Sequence, residues 1–321
     1  MNKLNYSLKY VEYLFRKCRG MMTSDLYFHT AKLNKASQTF ANLKKPITLS
    51  EKICHRLVFD HNALYTLLAD KLAVREYVRT RTQLVQVIPL IGVYHRAEDI
   101  DFSRLPAKFV LKCNHDCGST VICTDRDNFN PANTLNRLKL ALKKNMYYTT
   151  REWQYKHIAP VILCEIFIDL FSDRDKNVTP EMLRIHCFHG VACFVEADFT
   201  DKQGREYINV YDRSWRLQPF QMEYPNTPGP VPEPESFHRA VTAAQELAKE
   251  IDYCRVDLML KENEIYFSEI TLSPKRGKLN ITPAIWDAKL GDMWHLCLQK
   301  QAQLSLFCQG RLTGHDNLKI E

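Results

Sequence analysis

The chain has 321 residues, 45% hydrophobic and 25% charged, a balance that supports a large core and excludes a disordered or fibrous protein. Its 44 Lys and Arg against 37 Asp and Glu leave a net charge of +7, which favours anionic partners without choosing among nucleotides, acidic sugars, nucleic acid and membrane surfaces. Eleven cysteines, an odd number with no C-x-x-C pair, read as reduced core thiols rather than a disulfide framework or zinc site.

Residues 2–20 place Leu4, Leu8, Val11, Phe15 and Cys18 at helical spacing beside Lys3, Arg16, Lys17 and Arg19, which predicts a basic amphipathic helix. Its apolar stripe is expected to pack on the protein's own core, with an anionic membrane surface as the alternative. A second helical stretch runs from Ser50 to Arg81, with Ser50 as N-cap. Strand patterns follow at Gln86–Val93, Lys108–Cys113, Thr120–Thr124, Val161–Ile168, Ile185–Glu196 and Tyr207–Tyr211. The longest apolar runs, Val87–Val93 and Ile158–Ile168, fall short of the ~18 residues that span a bilayer. A proline-rich connector, Pro225 to Pro234, leads to a helix at Glu235–Ile251 and a hairpin at Cys254–Thr271.

That hairpin carries the strongest chemical signal. Period-two alternation puts Cys254, Val256, Leu258 and Leu260 on one face and Arg255, Asp257 and Met259 on the other. With Glu262-Asn263-Glu264 as the loop, Leu260 aligns with Tyr266, Asp257 with Glu269 and Arg255 with Thr271. Two opposed carboxylates repel, and Mg²⁺ suits them because it takes one or two carboxylates and completes its shell with water and phosphate oxygens. Arg255 is then placed to meet phosphoryl oxygens. A second signal is Lys112 at the end of an apolar strand, followed by a polar loop with Gly118 and Ser119 that could cradle phosphate, although it is no Walker A loop. The third is Glu165, a carboxylate interrupting the apolar run VILCEIFID, with Phe167 and Ile168 after it as a candidate adenine and ribose site.

In order, LADKLAVREYV (68–78), IPLIGVY with DIDFSRLPAKFVLKCNHDCGS (88–119), REWQYKHIAPVILCEIFI (151–168), NVYDRSWRL (209–217), RVDLMLKENEIYFSEITLSP (255–274) and WDAKLGD (286–292) resemble the ATP-grasp superfamily, specifically its TupA-like members found with surface-polysaccharide genes. The resemblance implies an α+β ATP-grasp fold, two α+β subdomains gripping ATP behind an N-terminal helical region (1–69), with a first part at 70–163 and a second, including the hinge, at 164–321. It implies phosphate-binding lysines at Lys71 and Lys112, a phosphate loop from Asn114 through Gly118 to Ser119, and an adenine hinge at Glu165 and Ile168. It also implies metal acids at Asp257 and Glu269, with Thr271 where D-alanine–D-alanine ligases have Asn, and a phosphate-contacting Arg255. Lys275 and Arg276 are expected to face the substrates. The implied activity is ATP- and Mg²⁺-dependent joining of a carboxylate to an amine through an acyl phosphate, the carboxylate being a uronic acid of a surface polysaccharide and the amine an amino acid. Nucleic acid is not an expected partner.

A sugar-nucleotide glycosyltransferase is the competing enzyme class, with D-x-D candidates at Asp99–Asp101, Asp125–Asp127 and Asp173–Asp175. A nucleotide-binding relative without turnover is the other alternative. Reduced cysteines and the lack of an apolar leader place the protein, by expectation, in the cytoplasm or at the inner face of the membrane.

Overall fold

A computed structural model describes residues 3–38, 40–170 and 180–296. Helix α1 spans Lys3–Met21 and α2 Asp25–Ser37, the latter capped by Ser24 accepting from the Tyr27 amide at 3.2 Å. The stretch expected as one helix from Ser50 to Arg81 is three: α3 (Leu49–Phe59), α4 (Ala63–Ala69) and α5 (Val74–Arg81). Short polar side chains make the breaks by competing for backbone N–H groups. Asn62 caps α4 by accepting from Leu64 at 2.9 Å, and Asp70 accepts from Leu72 at 2.8 Å and Ala73 at 3.3 Å. The N-cap of α3 is Thr48, in a reciprocal capping box with Glu51, rather than Ser50.

The strands are β1 (Gln86–Val87), β2 (Leu90–Tyr94), β3 (Phe109–Cys113) and β4 (Val121–Cys123), then helices α6 (Pro131–Leu142) and α7 (Tyr147–Thr150). There follow β5 (Ile162–Ile166), β6 (Met182–Phe188), β7 (Val191–Thr200), β8 (Glu206–Tyr211), β9 (Gln221–Met222), α8 (Phe237–Ala248), β10 (Tyr253–Lys261), β11 (Glu264–Thr271), β12 (Ile281–Thr282) and α9 (Ile285–Asp292). The smaller sheet has the order β2-β5-β3-β4, and the larger one β1-β11-β10-β6-β7-β8, with β9 and β12 as a separate pair. Strand β1 joins the larger sheet parallel to β11, so the chain touches that sheet before building the smaller one.

The run Ile185–Glu196, expected as one strand, is a hairpin of β6 and β7 that reverses at His189 and Gly190, both at positive φ (50° and 79°). Each sheet packs one face on a helix; the other face of the larger sheet is mixed, polar around Asp257 and apolar at Phe188, Phe194 and Tyr253, which pack with Leu49 and Ile53 of α3. Leu111, Cys113 and Cys164 of the smaller sheet pack with Leu138 and Ala141 of α6. Leu183, Ile185, Val256 and Leu258 of the larger sheet pack against Ala240, Ala244 and Leu247 of α8. The nine described cysteines are free thiols, and among the described residues no helix is long and apolar enough to cross a membrane.

Helix α1 departs from expectation. Among its described side chains α1 buries Tyr13 and, at the backbone, Gly20, whereas Leu8, Val11 and Phe15 of the apolar stripe stand 61%, 60% and 68% exposed. The stripe therefore faces away from the core.

Candidate active site

Strand β10 buries Cys254, Val256, Leu258 and Leu260 against the core and turns Arg255 and Asp257 to the opposite face. Asp257 and Glu269 are Cα partners across β10 and β11, as are Arg255 and Thr271. The register arises differently from the simple count. Lys261 pairs with Glu264, leaving a two-residue turn with Glu262 rather than Asn263 at positive φ (51°), and Leu260 pairs with Ile265 instead of Tyr266. A bulge at Ser268 then shifts the ladder by one residue and restores the Asp257–Glu269 pairing.

Arg255 clamps Asp257 through Nε at 2.7 Å and Nη2 at 2.6 Å, and the Thr271 hydroxyl donates to Glu269 at 2.8 Å. Burial pushes the Asp257 carboxyl up to about 6, Arg255 opposing and Glu269 adding to the shift. Burial acts likewise on Glu269, but Lys71, Arg255, the Thr271 hydroxyl and Lys112 together hold it below its ordinary value. Among the described residues no group of three His, Cys, Asp or Glu side chains could hold a metal by itself. Asp257 and Glu269 fit Mg²⁺ as a pair of hard oxygen donors, the remaining positions falling to water and phosphate oxygens, which is the usual habit of that ion.

Lys71 and Lys112, whose charges reach Glu269, come from elsewhere in the chain. Alternation in β3 packs Phe109, Leu111 and Cys113 into the core and leaves Lys112 on the other face. Its ammonium pairs with Glu165 at 2.6 Å, diagonally across to β5, and Arg75 of α5 pairs with the same carboxylate at 2.9 Å while also bonding the Ile88 carbonyl. Glu165 is 3% exposed, so its oxygens are engaged by two cations inside the protein. Ile168 lies just past β5, partly buried, where backbone groups leave the ladder.

The loop after β3 is organised by its own side chains. Buried Asn114 donates to Asp70 at 2.9 Å and to the Ala159 carbonyl at 3.0 Å and accepts from Val161 at 2.8 Å. Ser119 donates to Asp116 at 2.5 Å and accepts from the Cys113 amide at 2.7 Å, while Arg137 donates to the Gly118 carbonyl at 2.7 Å. The Lys71 ammonium donates to the Asp116 carbonyl at 2.5 Å, and its amide to the Asn114 carbonyl at 3.1 Å. Lys71 is thereby tied to the loop, and a Cβ at Gly118 would meet nothing within 4 Å, so that position is open to a ligand's approach.

Beyond β11, Lys275, Arg276 and Gly277 take left-handed φ of 47°, 58° and 73° in succession. Only glycine fits the third place, because an added Cβ would lie 2.6 Å from both Cys54 Sγ and the Ser50 carbonyl. Lys275 pairs with Glu223 at 3.3 Å, while Arg276 turns toward the N-terminal helices. Between these elements, Ser273 donates to buried Glu152 at 2.7 Å and accepts from Gln154 at 2.8 Å.

Sequence reasoning missed Arg75 and a polar row on β6 and β7. Arg184 is bonded to Asp198, His186 to Glu196 at 2.7 Å, and Arg255 approaches Glu196 at 3.8 Å. Registers Arg255–His186, Asp257–Arg184 and Arg184–Glu196 place the row on the same sheet face as the acid pair. The alternation Arg184-x-His186 and Glu196-x-Asp198 was the available signal. His186 is fully buried, and burial keeps its pKa low against the pull of Glu196, so it is a satisfied core histidine. Asp198 is pushed up to about 7 by burial, with Arg184 opposing. Of the D-x-D candidates, Asp101 accepts from Ser103 and Asp125 from Asn128 and Asp127 in exposed turns, whereas Asp173–Asp175 lies outside the described residues.

Among solved structures, the chain is similar to D-alanine–D-alanine ligase from Bacillus anthracis complexed with ATP, at 17% identity over 74% of this chain and 66% of that one, with a TM-score of 0.39. It is similar to the ATP-grasp ligase PsnB complexed with a minimal precursor, at 13% identity over 75% and 63%, TM-score 0.39. A third is the D-cycloserine synthetase DcsG, at 14% identity over 65% and 63%, TM-score 0.36. In all three the chain spans less than two thirds of the neighbour's length, and no curated protein matches it by sequence. The model of the TupA-like ATP-grasp family matches residues 51–295, three quarters of the chain and all of the site described above, and the chain belongs to that family.

Proposed function

We propose that the protein is an ATP-dependent carboxylate–amine ligase that joins an amino acid or another amine to a uronic acid during surface-polysaccharide synthesis. The observation that supports this best is the facing of Asp257 and Glu269 on one sheet, with the charges of Lys71 and Lys112 reaching Glu269 from another part of the chain. Carboxylates on one side and lysines on the other suit a triphosphate bound between them.

In this reading Lys71 and Lys112 hold phosphate oxygens, the backbone after Glu165, at Ile168, receives adenine, and Gly118 leaves room above the phosphates. Asn114 and Ser119 fix the shape of that loop. Asp257, Glu269 and Thr271 would hold Mg²⁺, which when bound offsets the triphosphate charge and raises the electrophilicity of the γ-phosphorus. The acceptor's carboxylate oxygen attacks that phosphorus and ADP leaves, giving an acyl phosphate. The amine nitrogen then attacks the acyl carbon, inorganic phosphate departs and the nitrogen loses a proton. Arg255 stabilises charge on the transferring group, and Lys275 and Arg276 offset the repulsion between an anionic acceptor and the phosphates.

The exposed Leu8 and Val11 of α1, beside Lys9, suit peripheral contact with the anionic inner face of a membrane. The reaction itself is tested by mass spectrometry of the protein incubated with ATP, Mg²⁺, uronic-acid acceptors and an amino-acid pool. A new amide with release of ADP is the expected outcome, and ADP release without any acceptor-derived product would reject the ligase reading.

A further inference from the structure

Helices α1 and α2 enclose, with the segment around Arg151 and the turn after β11, a cavity of about 810 Å³, within the size range of roughly 300–1,000 Å³ typical of ligand sites. The corner is built rather than loosely apposed. Arg151 donates to Asp25 at 3.0 Å and to the Thr23 carbonyl at 3.1 Å, and buried His29 bonds the Arg151 carbonyl at 3.0 Å. Gly20 allows the close approach, since a Cβ there would lie 3.1 Å from Arg151 Nη2.

The lining is strongly cationic. Arg16 is matched by Glu12 at 2.5 Å and Arg151 by Asp25. Arg19, Lys32, Lys35, Arg276 and Lys278 also line the cavity, and no described carboxylate lies within ion-pair distance of any of these five. Three of them lie close enough to oppose one another: burial lowers the Lys278 pKa, and Arg276 and Lys32 lower it further. Phe15, Tyr27, Phe28 and Tyr148 supply flat faces to the same space.

We propose that this cavity binds the diphosphate of an activated sugar, so that the acidic acceptor arrives as a sugar–diphosphate conjugate. The anion site stands on its own observations; its role as the acceptor's handle rests on the ligase reading above. A uronic acid carries one charge per sugar ring, so a polyuronate would be matched by cations spread along a groove. A diphosphate concentrates about two charges or more within a few ångströms, which is what five cations lining one cavity can neutralise. The aromatic faces suit the sugar, or a base attached through the diphosphate.

One buried carboxylate senses both the cavity and the acid pair. Glu152, next in sequence to Arg151, is held by Ser273, and its carboxyl, raised chiefly by burial, is pulled down by Arg276 and pushed up by Glu269. It is close enough to both sites to feel a charge from each. A conjugate anchored among the cations could extend its sugar acid past Glu152 toward the phosphoryl donor.

The test uses the full-length protein with a non-hydrolysable ATP analogue and Mg²⁺ saturating the nucleotide site, so that added diphosphate cannot bind there. Calorimetric titration then compares inorganic pyrophosphate, UDP-glucuronate and a short-chain polyprenyl diphosphate. The expected result is binding that weakens with added salt and at least about ten-fold in Lys32→Glu/Lys35→Glu, with analogue affinity and melting temperature unchanged because both side chains are exposed. Tighter binding of UDP-glucuronate assigns a nucleotide-linked source, and of the prenyl compound a lipid-linked one. The proposal is overturned if no diphosphate binds the wild type, if the double variant binds as the wild type does, or if a phosphate-free oligouronate competes equally well. Failure of the wild type to bind the analogue would reject the ligase reading, while titration without it would still decide the cavity.

Discussion

Glu165 binds Lys112 at 2.6 Å across neighbouring strands while also holding Arg75 at 2.9 Å, so one buried carboxylate balances two cations. Replacing it by Gln leaves both cations unneutralised, and breaking such a pair costs about 3–5 kcal/mol. Glu165→Gln should therefore lower the midpoint of chemical denaturation sharply. Lys112→Met should cost less, because Glu165 keeps Arg75, yet should weaken ATP binding about ten-fold or more through loss of a charge-assisted phosphate contact. Denaturation curves and calorimetry separate the two effects, and unchanged ATP affinity in Lys112→Met would remove that lysine from the phosphate site.

Asp257→Asn and Glu269→Gln each remove a charge and almost no volume. Turnover of ATP with Mg²⁺ should fall on the order of 100-fold or more, the scale of one lost preorganised electrostatic contact. Asp257→Asn should also lower the melting temperature because it unpairs buried Arg255, whereas Glu269→Gln, which keeps an oxygen for the Thr271 hydroxyl, should change it little. Steady-state assays across Mg²⁺ concentrations check this, and full activity in both variants would reject the metal assignment.

The pH dependence of stability has a traceable source in Asp198, raised from 3.8 to about 7. The native state keeps this proton while the unfolded chain releases it near its ordinary value. Its contribution is thus fully present below about pH 4 and is lost as pH rises through about 7. Asp198→Asn cannot titrate, so the melting temperature of the variant should gain on the wild type between pH 5 and pH 8. Parallel curves across that range would show that Asp198 ionises normally.

Arg276 stands at φ 58°, where Gly is accommodated more easily than any side chain. Arg276→Gly thus removes the guanidinium without adding backbone strain. It should raise KM for the acidic acceptor several-fold or lower kcat, with ATP affinity near wild type. Wild-type kinetics with the acceptor varied at saturating ATP would return Arg276 to the ordinary surface.

Membrane contact is checked by flotation with anionic lipid vesicles. Leu8→Glu/Val11→Glu should reduce co-flotation, and because both residues are exposed the melting temperature should not change. Equal flotation of wild type and variant would exclude α1 as the contact.

Local patterns carried most of what the sequence disclosed. Alternation in β10 sorted core from site correctly from Cys254 to Asp257, since period two is a property of the strand alone. The helix expected at Glu235–Ile251 is α8, its buried alanines at helical spacing. What escaped notice depends on contacts between distant segments or on single turns. Arg75 looks like any helix-surface cation until α5 is set beside β5. The β6–β7 reversal rests on His189 and Gly190 alone, and missing it concealed that Arg184, His186, Glu196 and Asp198 share a face. Helix α1 was legible as amphipathic, but which face meets the core is decided by Tyr13, Gly20 and their neighbours, not by the stripe.

The length of the β10–β11 turn and the bulge at Ser268 are coupled. A turn one residue longer, on an unbulged β11, would bring Asp257 and Glu269 together just as well, because each change moves the ladder by one step and in compensating directions. A change in one alone would slide Glu269 past Asp257 and send alternate side chains of β11 to the wrong face. With the number of residues fixed, a turn lengthened by one while the bulge stays should therefore inactivate the protein, and loss of the bulge in the same chain should restore it. The two sites would behave as one heritable unit, free to drift only as a pair.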